Sequence, residues 1–357
     1  MMVVTLNIPQ QAVNNPSGDS SENSKTAYFA GKPIREVINN EVQEKQRIRF
    51  GDAKVISRSI RYYNVELQWV SNPIRIAYQN GDYKSLIENS GVKSINGCGL
   101  CTDIENISLA KGILTNYKTL SVIPVLAGFG ANHFMACPLS HSESGQYDAF
   151  GLEPKGFLEE FLAFQADYIG SDYRKGKDRI GFSWMNNPEA GASIPNHTHI
   201  HICDNIDVPL LGQQPTQIYS GKNFTLSNLE WFNLEVLSLK SKGEGDMKDL
   251  VKPLRKILGT ILERKKRYNL MFDGQDKRIL IIPRNPVPAH EKGITSKYGT
   301  LEMGGYYPVK SGEDPGRVKE VDSEQDRMWV DNYIGTLKEI CLSKGTLNID
   351  WALVLSS

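Results

Sequence analysis

The amino-acid sequence predicts an α+β protein, because segments typical of strands and segments typical of helices follow one another along most of the chain. Runs of β-branched and apolar residues bounded by Gly, Pro or Asn indicate strands. Aromatic side chains at helical spacing indicate a helix over Gly156–Ile169, and a longer helix is predicted over Ser323–Ser343, just before Gly345. The same mixture occurs in both parts of the chain, so we expect two halves of related architecture.

The first half is predicted to span residues 26–215. It follows residues 1–25, which we predict to be a disordered arm because they are polar and poor in large apolar side chains. The helix at Gly156–Ile169 belongs to this half, and its aromatic face should be buried. The predicted strands are Val55–Val70, Thr119–Leu126, His133–Leu139 and Arg179–Met185, followed by a strand that carries three histidines.

The second half is predicted to span residues 216–357, after a connector rich in Pro and Gln. Ser227–Glu230 has the spacing of a capping box, which predicts a helix that begins there and runs toward Lys240. A second helix is predicted over Val251–Tyr268, with a basic C-terminal end that suits the helix dipole. A short buried strand is predicted over Arg278–Pro283.

Composition argues against several classes of protein. The chain of 357 residues has 41 basic and 41 acidic side chains, and this balance argues against broad binding to nucleic acid or to a membrane surface. We find no run of about 18 apolar residues and no signal-peptide pattern. The five cysteines do not form a disulfide framework. We therefore expect a cytoplasmic protein.

Three of the six histidines fall at alternate positions within Asn196–Ile202. They are His197, His199 and His201, and the β-branched residues between them are typical of a strand. Side chains two positions apart share one face of a strand, so the imidazoles should project to one side at steps of roughly 7 Å. Such a row can bind a metal ion, perform nucleophilic or acid–base chemistry, or divide these tasks.

Cys98 and Cys101 form a CxxC pair, whose two thiolates have the reach to bind a tetrahedral zinc ion together with two further ligands. The chain has no second CxxC, so the further ligands would come from the histidines. A redox pair and two unrelated thiols are the alternative interpretations of this motif.

The segment Asn186–Ser193 joins a predicted strand to the histidine row through small residues. Backbone N–H groups at Gly191 and Ala192 would let an anion approach closely, and Ser193 adds a hydroxyl group. We therefore expect a phosphate-binding turn immediately before the histidines.

The combined segment Asn186–Ile202 resembles the active-site region of the histidine-triad (HIT) superfamily. The resemblance is strongest with its transferase branch, which includes galactose-1-phosphate uridylyltransferase, diadenosine tetraphosphate phosphorylase and GDP-L-galactose phosphorylase. The CxxC pair and residues 131–141 resemble further segments of these proteins, and residues 68–75, 283–284 and 302–305 do so more weakly. The resemblance covers about residues 65–310. It implies a HIT-like antiparallel sheet with flanking helices, with two HIT-like halves in one chain.

The resemblance also implies roles for individual residues. His199 matches the nucleophile that becomes nucleotidylated, which implies a nucleotidyltransferase or phosphorylase that attacks the α-phosphate of a nucleotide. His201 and Ser193 complete the predicted catalytic group. The residues predicted to bind the substrate are Asn186, Asn187, Gly191, Ser193, Arg284 and Glu302. The implied structural zinc site consists of Cys98, Cys101, His141 and His197.

One position departs from the transferase pattern, because His201 stands where that branch has Gln. Histidine there is the pattern of the smaller hydrolase-like members, so a nucleotide hydrolase with water as acceptor is an alternative. A second alternative is a metal-dependent hydrolase in which the histidine row binds a catalytic metal beside Asp204 and Asp207. A third is a non-catalytic, zinc-stabilised binding protein.

The expected partners are small molecules. A dinucleoside polyphosphate or a nucleoside-diphosphate sugar is the expected substrate, inorganic phosphate is a candidate acceptor, and neither nucleic acid nor a membrane is expected. The sequence leaves open the particular nucleotide and whether the protein is a monomer or a homodimer.

Overall fold

The computed structural model describes only part of the chain. The described residues are 28–29, 32–36, 38–40, 56–62, 65–71, 100, 117, 119–125, 129, 131–139, 156–173, 179–187, 190, 197–243, 245–286, 298–308 and 323–356. The predicted arm at residues 1–25 lies outside them. So do Cys98, Cys101, His141, Gly191 and Ser193 of the predicted site.

The described residues form both strands and helices, as predicted for an α+β protein. The strands are β1 (Tyr28–Phe29), β2 (Lys32–Pro33), β3 (Ile56–Tyr62), β4 (Val65–Ser71), β5 (Leu120–Pro124), β6 (Ala131–Pro138), β7 (Phe182–Asn186), β8 (Ile200–Asp204), β9 (Pro215–Ser220), β10 (Phe224–Leu229), β11 (Leu237–Ser241), β12 (Arg267–Asp273), β13 (Arg278–Arg284) and β14 (Tyr306–Pro308). The helices are α1 (Phe157–Tyr173), α2 (Val251–Glu263), α3 (Thr300–Met303), α4 (Ser323–Ile340) and α5 (Trp351–Ser356).

A large antiparallel sheet forms the centre of the described structure. Its nine strands are arranged in the order β5-β6-β8-β7-β12-β13-β11-β10-β9, and every neighbouring pair is antiparallel. A smaller sheet has the order β14-β4-β3, in which β14 runs parallel to β4. The short strands β1 and β2 pair with each other.

The large sheet contains strands from both predicted halves. Strands β5 to β8 come from the first half and strands β10 to β13 from the second, while β9 begins at the last residue of the first half, Pro215, and continues into the second. The two groups join where β7 pairs with β12, from Ser183 opposite Phe272 to Asn186 opposite Asn269. Division of the chain into domains at residues 215 and 216 stays a prediction.

Alternate side chains of the central strands enter two different cores. Met185, Ile200 and Leu270 contribute to the core that also contains the buried faces of α1 and α2. Trp184 and Met271 contribute to the core on the other face of the sheet, which also contains residues of α3 and α4. The sheet is therefore buried on both faces at its centre, where a polar side chain that lacks a partner within the protein is unfavourable.

Helix α1 confirms the prediction made from its aromatic spacing. Phe157, Phe161, Phe164 and Tyr168 are all buried in one core. The backbone is non-helical at Gly170, which has a φ of 65°. A residue without a Cβ adopts this left-handed conformation at little cost, so the kink falls on the glycine.

The helix predicted from Ser227 toward Lys240 is wrong. This part of the chain forms β10 and β11, and Asn228 pairs with Leu237 across them. The chain reverses through Phe232 and Asn233, which have φ values of 50° and 60°. Local capping chemistry favoured a helix, but pairing of the two strands and burial of their apolar side chains in the sheet outweigh that local preference.

Two further boundaries differ from the prediction. Helix α2 ends at Glu263, and β12 begins at Arg267, so the helix predicted to Tyr268 is too long. Lys265, at a φ of 56°, marks the turn between them. None of the helices formed by the described residues is long and apolar enough to cross a membrane.

Candidate active site

The histidine row lies against the central strands of the large sheet. His201 of β8 is opposite Trp184 of β7, and the same register, continued by two residues, places Asn186 opposite His199. Asn186 is in turn paired with Asn269 of β12. Continued in this way, one row contains His199, which immediately precedes β8, together with Asn186 of β7 and Asn269 of β12. Strand β8 itself begins at Ile200, later than the alternation of histidines predicted.

His199 is buried, with 4% of its surface exposed. Its Nδ1 atom lies 2.9 Å from the carbonyl oxygen of His197. A carbonyl only accepts hydrogen bonds, so Nδ1 carries the proton and Nε2 keeps its lone pair. Burial lowers the pKa of His199, while the hydrogen bond to His197 acts in the opposite direction. The lowered pKa favours the neutral imidazole at neutral pH, with Nε2 as its basic atom.

A chain of hydrogen bonds sets the tautomer of His201. The backbone N–H of Phe129 donates to Nδ1 of His133 over 2.9 Å, so the proton of neutral His133 is on Nε2. That nitrogen lies 3.1 Å from Nδ1 of His201. Nδ1 of His201 is therefore an acceptor, and the proton of neutral His201 is on Nε2. His201 has the tautomer that offers an Nε2–H donor.

Aromatic rings fix the orientation of these imidazoles. Trp184 stacks on His201, with ring centroids 5.0 Å apart and planes 10° from parallel. His199 meets His201 edge to face, at a centroid distance of 5.2 Å and an angle of 78°. Phe129 and Trp184 also contact His133. Packing on several sides leaves the rings few alternative orientations, which preorganises the polar atoms that they carry.

Asp204 supports the backbone beside His133. Its carboxylate accepts hydrogen bonds from Asn132 Nδ2 at 2.9 Å and from the Gly181 backbone at 2.9 Å, and from Tyr168 at 3.1 Å. Asn132 has a φ of 49° and lies where the register of β6 and β8 shifts. The carboxylate thus holds an irregular backbone in place, one residue before His133.

The predicted zinc site is described only at His197. This residue is fully buried, and its Nε2 lies 3.1 Å from the carbonyl oxygen of Pro138. Pro138 precedes His141 by three positions, so His197 lies beside the chain that leads to another predicted ligand. Across the described residues, no three His, Cys, Asp or Glu side chains are arranged to hold a metal ion. The ligand set stays a prediction.

Asn186 contacts the second half of the chain. Its Oδ1 accepts hydrogen bonds from the backbone N–H of Thr300, at 2.8 Å, and from the Thr300 hydroxyl. It therefore caps the first turn of α3 from another part of the chain. A role in substrate binding stays a prediction for this residue.

Asn187 is also held from the second half, because its backbone N–H donates to Oδ1 of Asn269 over 3.2 Å. The carbonyl of Asn187 accepts from the Ala190 backbone at 2.8 Å, which closes a turn directly after β7. The predicted phosphate-binding residues Gly191 and Ser193 follow this turn in the sequence.

The two predicted substrate contacts of the second half are buried. Arg284 is 0% exposed, and its Nη1 donates to the backbone oxygens of Ala190 at 2.8 Å and Tyr298 at 3.2 Å. Burial lowers the pKa of Arg284. Glu302 is 7% exposed, and its Oε2 accepts from the Gly299 backbone at 3.0 Å. Contact of either side chain with a substrate stays a prediction.

Sequence reasoning did not identify three residues of this region as parts of the site. Trp184 could have been found, because alternation along Phe182–Asn186 places it on the same face as Asn186. His133 matches a histidine near the active site of the histidine-triad proteins, but it was given no role because a lone histidine on a strand is usually structural, and its contact with His201 requires the pairing of β6 with β8. Asn269 carried no local signal, since its contact with Asn187 links positions 82 residues apart.

Sequence comparison identifies no relative of this chain. No protein-family model matches it, and no curated protein matches it either.

Comparison of structures does find relatives of the fold. The crystal structure of yeast Ap4A phosphorylase Apa2 in complex with Ap4A matches with a TM-score of 0.54 at 12% sequence identity, over 86% of this chain and 98% of that chain. A second crystal structure of yeast Ap4A phosphorylase Apa2 matches with a TM-score of 0.53 at 12% identity, over 87% of this chain and 96% of that chain. Its complex with AMP matches with a TM-score of 0.50 at 12% identity, over 86% and 97%. The predicted α+β, HIT-like fold is thus confirmed.

Proposed function

We propose that this protein is a nucleotidyltransferase or phosphorylase that acts on the α-phosphate of a nucleotide through a covalent intermediate on His199. One observation carries the proposal: Nδ1 of His199 donates to the His197 carbonyl, which leaves Nε2 as a neutral nitrogen with a lone pair. The fold shared with an Ap4A phosphorylase supports the same class of reaction. The expected substrate is a dinucleoside polyphosphate or a nucleoside-diphosphate sugar.

In the first step, Nε2 of His199 attacks the α-phosphorus. A nitrogen–phosphorus bond forms, the bond from phosphorus to the leaving oxygen breaks, and its electron pair departs with the leaving phosphate or sugar phosphate. Nδ1 keeps its proton, so the nucleotidylated ring carries a positive charge. The His197 carbonyl, 2.9 Å from Nδ1, is placed to stabilise that charge.

In the second step, an oxygen of the acceptor attacks the same phosphorus. The nitrogen–phosphorus bond breaks and its electron pair returns to Nε2, which restores neutral His199. Inorganic phosphate as acceptor gives a nucleoside diphosphate, and a sugar phosphate gives a nucleoside-diphosphate sugar. The covalent intermediate divides one difficult displacement into two easier ones.

Donors near His199 would neutralise the charge that develops on the phosphoryl oxygens. His201 is held with its proton on Nε2 through His133, which gives it the donor that a Gln amide supplies at this position in the transferase branch. In the proposed reaction, the same N–H group is the candidate proton donor to a leaving oxygen. Ser193 and the backbone at Gly191 are the other predicted donors, with Asn187 placed just before them.

Zinc, when bound, would supply structural cross-linking of the chain. The donor set of Cys98, Cys101, His141 and His197 suits a tetrahedral zinc ion with no open position. The contact of His197 Nε2 with the Pro138 carbonyl is the kind of outer hydrogen bond that a histidine ligand usually makes. The residue present therefore fits that role.

The proposed function is tested with a panel of dinucleoside polyphosphates and nucleoside-diphosphate sugars, each labelled at the α-phosphate. Incubation should leave label on His199, in a linkage that is labile to acid and stable to base, and phosphate should discharge it. The variant His199→Gly should show neither label nor turnover, while His290→Gly, at a histidine to which no role is assigned, should match the wild type. Normal turnover by His199→Gly would overturn the nucleophile assignment.

A nucleotide hydrolase is the second candidate, because His201 replaces the Gln of the transferase branch. Water would then discharge the intermediate and release a nucleoside monophosphate. Phosphate dependence separates the two reactions: phosphorolysis requires phosphate and yields a nucleoside diphosphate, whereas hydrolysis proceeds without it.

A further inference from the structure

The turn after β7 is attached to the second half of the chain by two buried polar side chains. Asn269 of β12 accepts the backbone N–H of Asn187 at 3.2 Å. Arg284 of β13 donates from Nη1 to the backbone oxygen of Ala190 at 2.8 Å. Because Ala190 also donates to the Asn187 carbonyl at 2.8 Å, both ends of one short turn are held from outside the first half.

The architecture of the sheet does not by itself require a polar side chain at position 269. Asn269 is 0% exposed, and in the described structure its Nδ2 has no hydrogen-bond partner. A buried donor without a partner is unfavourable, whereas an apolar side chain of similar size avoids that cost. The neighbouring position on β13 is Ile282, which is apolar and buried. Among the described residues, the hydrogen bond made by the Asn269 side chain is the one to Asn187.

The buried charge of Arg284 supports the same inference. A guanidinium that is 0% exposed loses its hydration, and such a group is costly unless its hydrogen bonds are well made. Nη1 of Arg284 joins the Ala190 carbonyl to the Tyr298 carbonyl, two backbone positions that are distant in the sequence. The side chain thus ties the turn after β7 to the segment that leads into α3.

The turn lies beside the predicted nucleophile. Asn186, the last residue of β7, is opposite His199 in the continued register and next to Asn269 in the other direction. Neighbouring strands are about 4.8 Å apart, so the backbones of His199 and Asn269 are separated by roughly 10 Å across β7. A shift of the turn would therefore move Asn187 relative to His199.

We propose that Asn269 and Arg284 are positioning residues of the second half that set the placement of Asn187 and Ala190 for the reaction at His199. This inference rests on the proposed function, because Asn187 is there a predicted contact of the phosphoryl group. Neither side chain needs to touch the substrate. The rate of nucleotidyl transfer in the first half would thus depend on contacts made by the second.

Asn269→Leu gives the sharpest test, since leucine has a similar size and removes both the acceptor and the unpartnered amide. The matched control is Asn228→Leu, the same change in β10 of the same sheet, three strands away from β12. Amide hydrogen exchange at Asn187 reports the contact directly and needs no substrate. Asn269→Asp retains an oxygen acceptor and should restore protection of the Asn187 amide.

We expect exchange at Asn187 to be at least about tenfold faster in Asn269→Leu, since its N–H loses a buried acceptor. The rate of formation of nucleotidyl-His199 in a single turnover should fall by about tenfold or more, with a smaller change in substrate KM. The melting temperature should fall by no more than about 4 °C, the shift expected for one hydrogen bond in a protein of this size. Asn228→Leu should keep wild-type exchange at Asn187 and wild-type labelling.

Wild-type exchange at Asn187 in Asn269→Leu would overturn the proposal, and so would a wild-type labelling rate. Failure of the proposed function has a different outcome, because wild-type protein would then acquire no label on His199. In that event, the exchange measurement still decides whether Asn269 holds the turn. Equal loss of labelling in Asn228→Leu would show a general effect of the substitution and would also overturn a specific role for Asn269.

Discussion

Nε2 of His133 lies 3.1 Å from Nδ1 of His201, and this contact determines which nitrogen of His201 serves as a donor. If the Nε2–H of His201 does what an amide N–H does in the transferase branch, His201→Gln should retain turnover within about tenfold. His201→Leu, which has no donor, should lose about 100-fold in kcat. Steady-state kinetics with the best substrate of the panel measures both. Equal losses in the two variants would contradict the donor role.

A double-variant cycle tests whether His133 acts through His201. His133→Leu should lower kcat by about tenfold in the wild-type background, because the His201 tautomer is no longer set. In the His201→Gln background, the same substitution should have a smaller effect, since glutamine has no tautomer to select. The same fold-change in both backgrounds would show that His133 contributes independently of His201.

The pH dependence of activity should follow the buried environment of His199. Because desolvation lowers its pKa, the neutral nucleophile should persist below the ordinary histidine value of about 6.5. The acid limb of kcat/KM, which reports the free enzyme, should therefore have its midpoint below about 6.5. A midpoint at or above that value would argue against His199 as the group that titrates.

The same shift has a consequence for stability. Between the lowered folded pKa of His199 and the unfolded value of about 6.5, the unfolded chain binds a proton that the folded protein does not. The free energy of unfolding should therefore fall as the pH decreases through this window. Above the window, His199 is neutral in both states and does not lower it. Between about pH 7 and about pH 5, the free energy of unfolding measured with urea should decrease less for His199→Gln than for the wild type. An equal loss would contradict the assignment.

Zinc content is a direct test of the implied ligand set. We expect about one zinc ion per chain for the wild type, and a chelator should lower the melting temperature, because a closed four-ligand site contributes to folding. Cys98→Ser should lose the metal, whereas Cys341→Ser, a buried cysteine outside the predicted set, should retain it. Wild-type protein without zinc, and with a melting temperature indifferent to chelators, would remove the zinc hypothesis.

Asp204 should matter for stability more than its neighbour Asp207. Asp204→Asn replaces an acceptor that serves the Asn132 amide, the Gly181 backbone and the Tyr168 hydroxyl, and one of these donors would face an amide N–H instead. We expect a loss of about 2–4 kcal/mol in the free energy of unfolding. Asp207→Asn, on the exposed surface, should change it by less than about 0.5 kcal/mol. Denaturant titration of both variants provides the comparison.

The parts of the fold that sequence reasoning predicted correctly are those with a strong local pattern. The aromatic spacing from Phe157 to Tyr168 indicated α1, and the apolar run Arg278–Pro283 indicated β13. The segment after Ser227 failed because its capping signal is local, whereas its strand pairing with Leu237 and burial are tertiary. The residue pattern of one segment does not specify which distant strand will pair with it or which core will bury its side chains.

The candidate site, like the fold, was predictable only where the sequence has a local pattern. The alternation of His197, His199 and His201 was visible in the sequence, but their different hydrogen-bond partners were not. The contacts of Asn186 with Thr300 and of Asn187 with Asn269 join residues 114 and 82 positions apart. Such contacts follow from the order of strands in the sheet, which no single segment of the sequence specifies.

The pairing of β7 with β12 has a consequence for any attempt to divide this protein. A cut between β8 and β9 would separate the strands of the large sheet into two groups. Each fragment would then present one of the two central strands as an open edge, with unpaired backbone donors and acceptors and an apolar surface on both sides. Fragments produced separately should therefore be prone to aggregate. Produced together, they should reassemble along this edge, as two parts of a sheet with complementary borders.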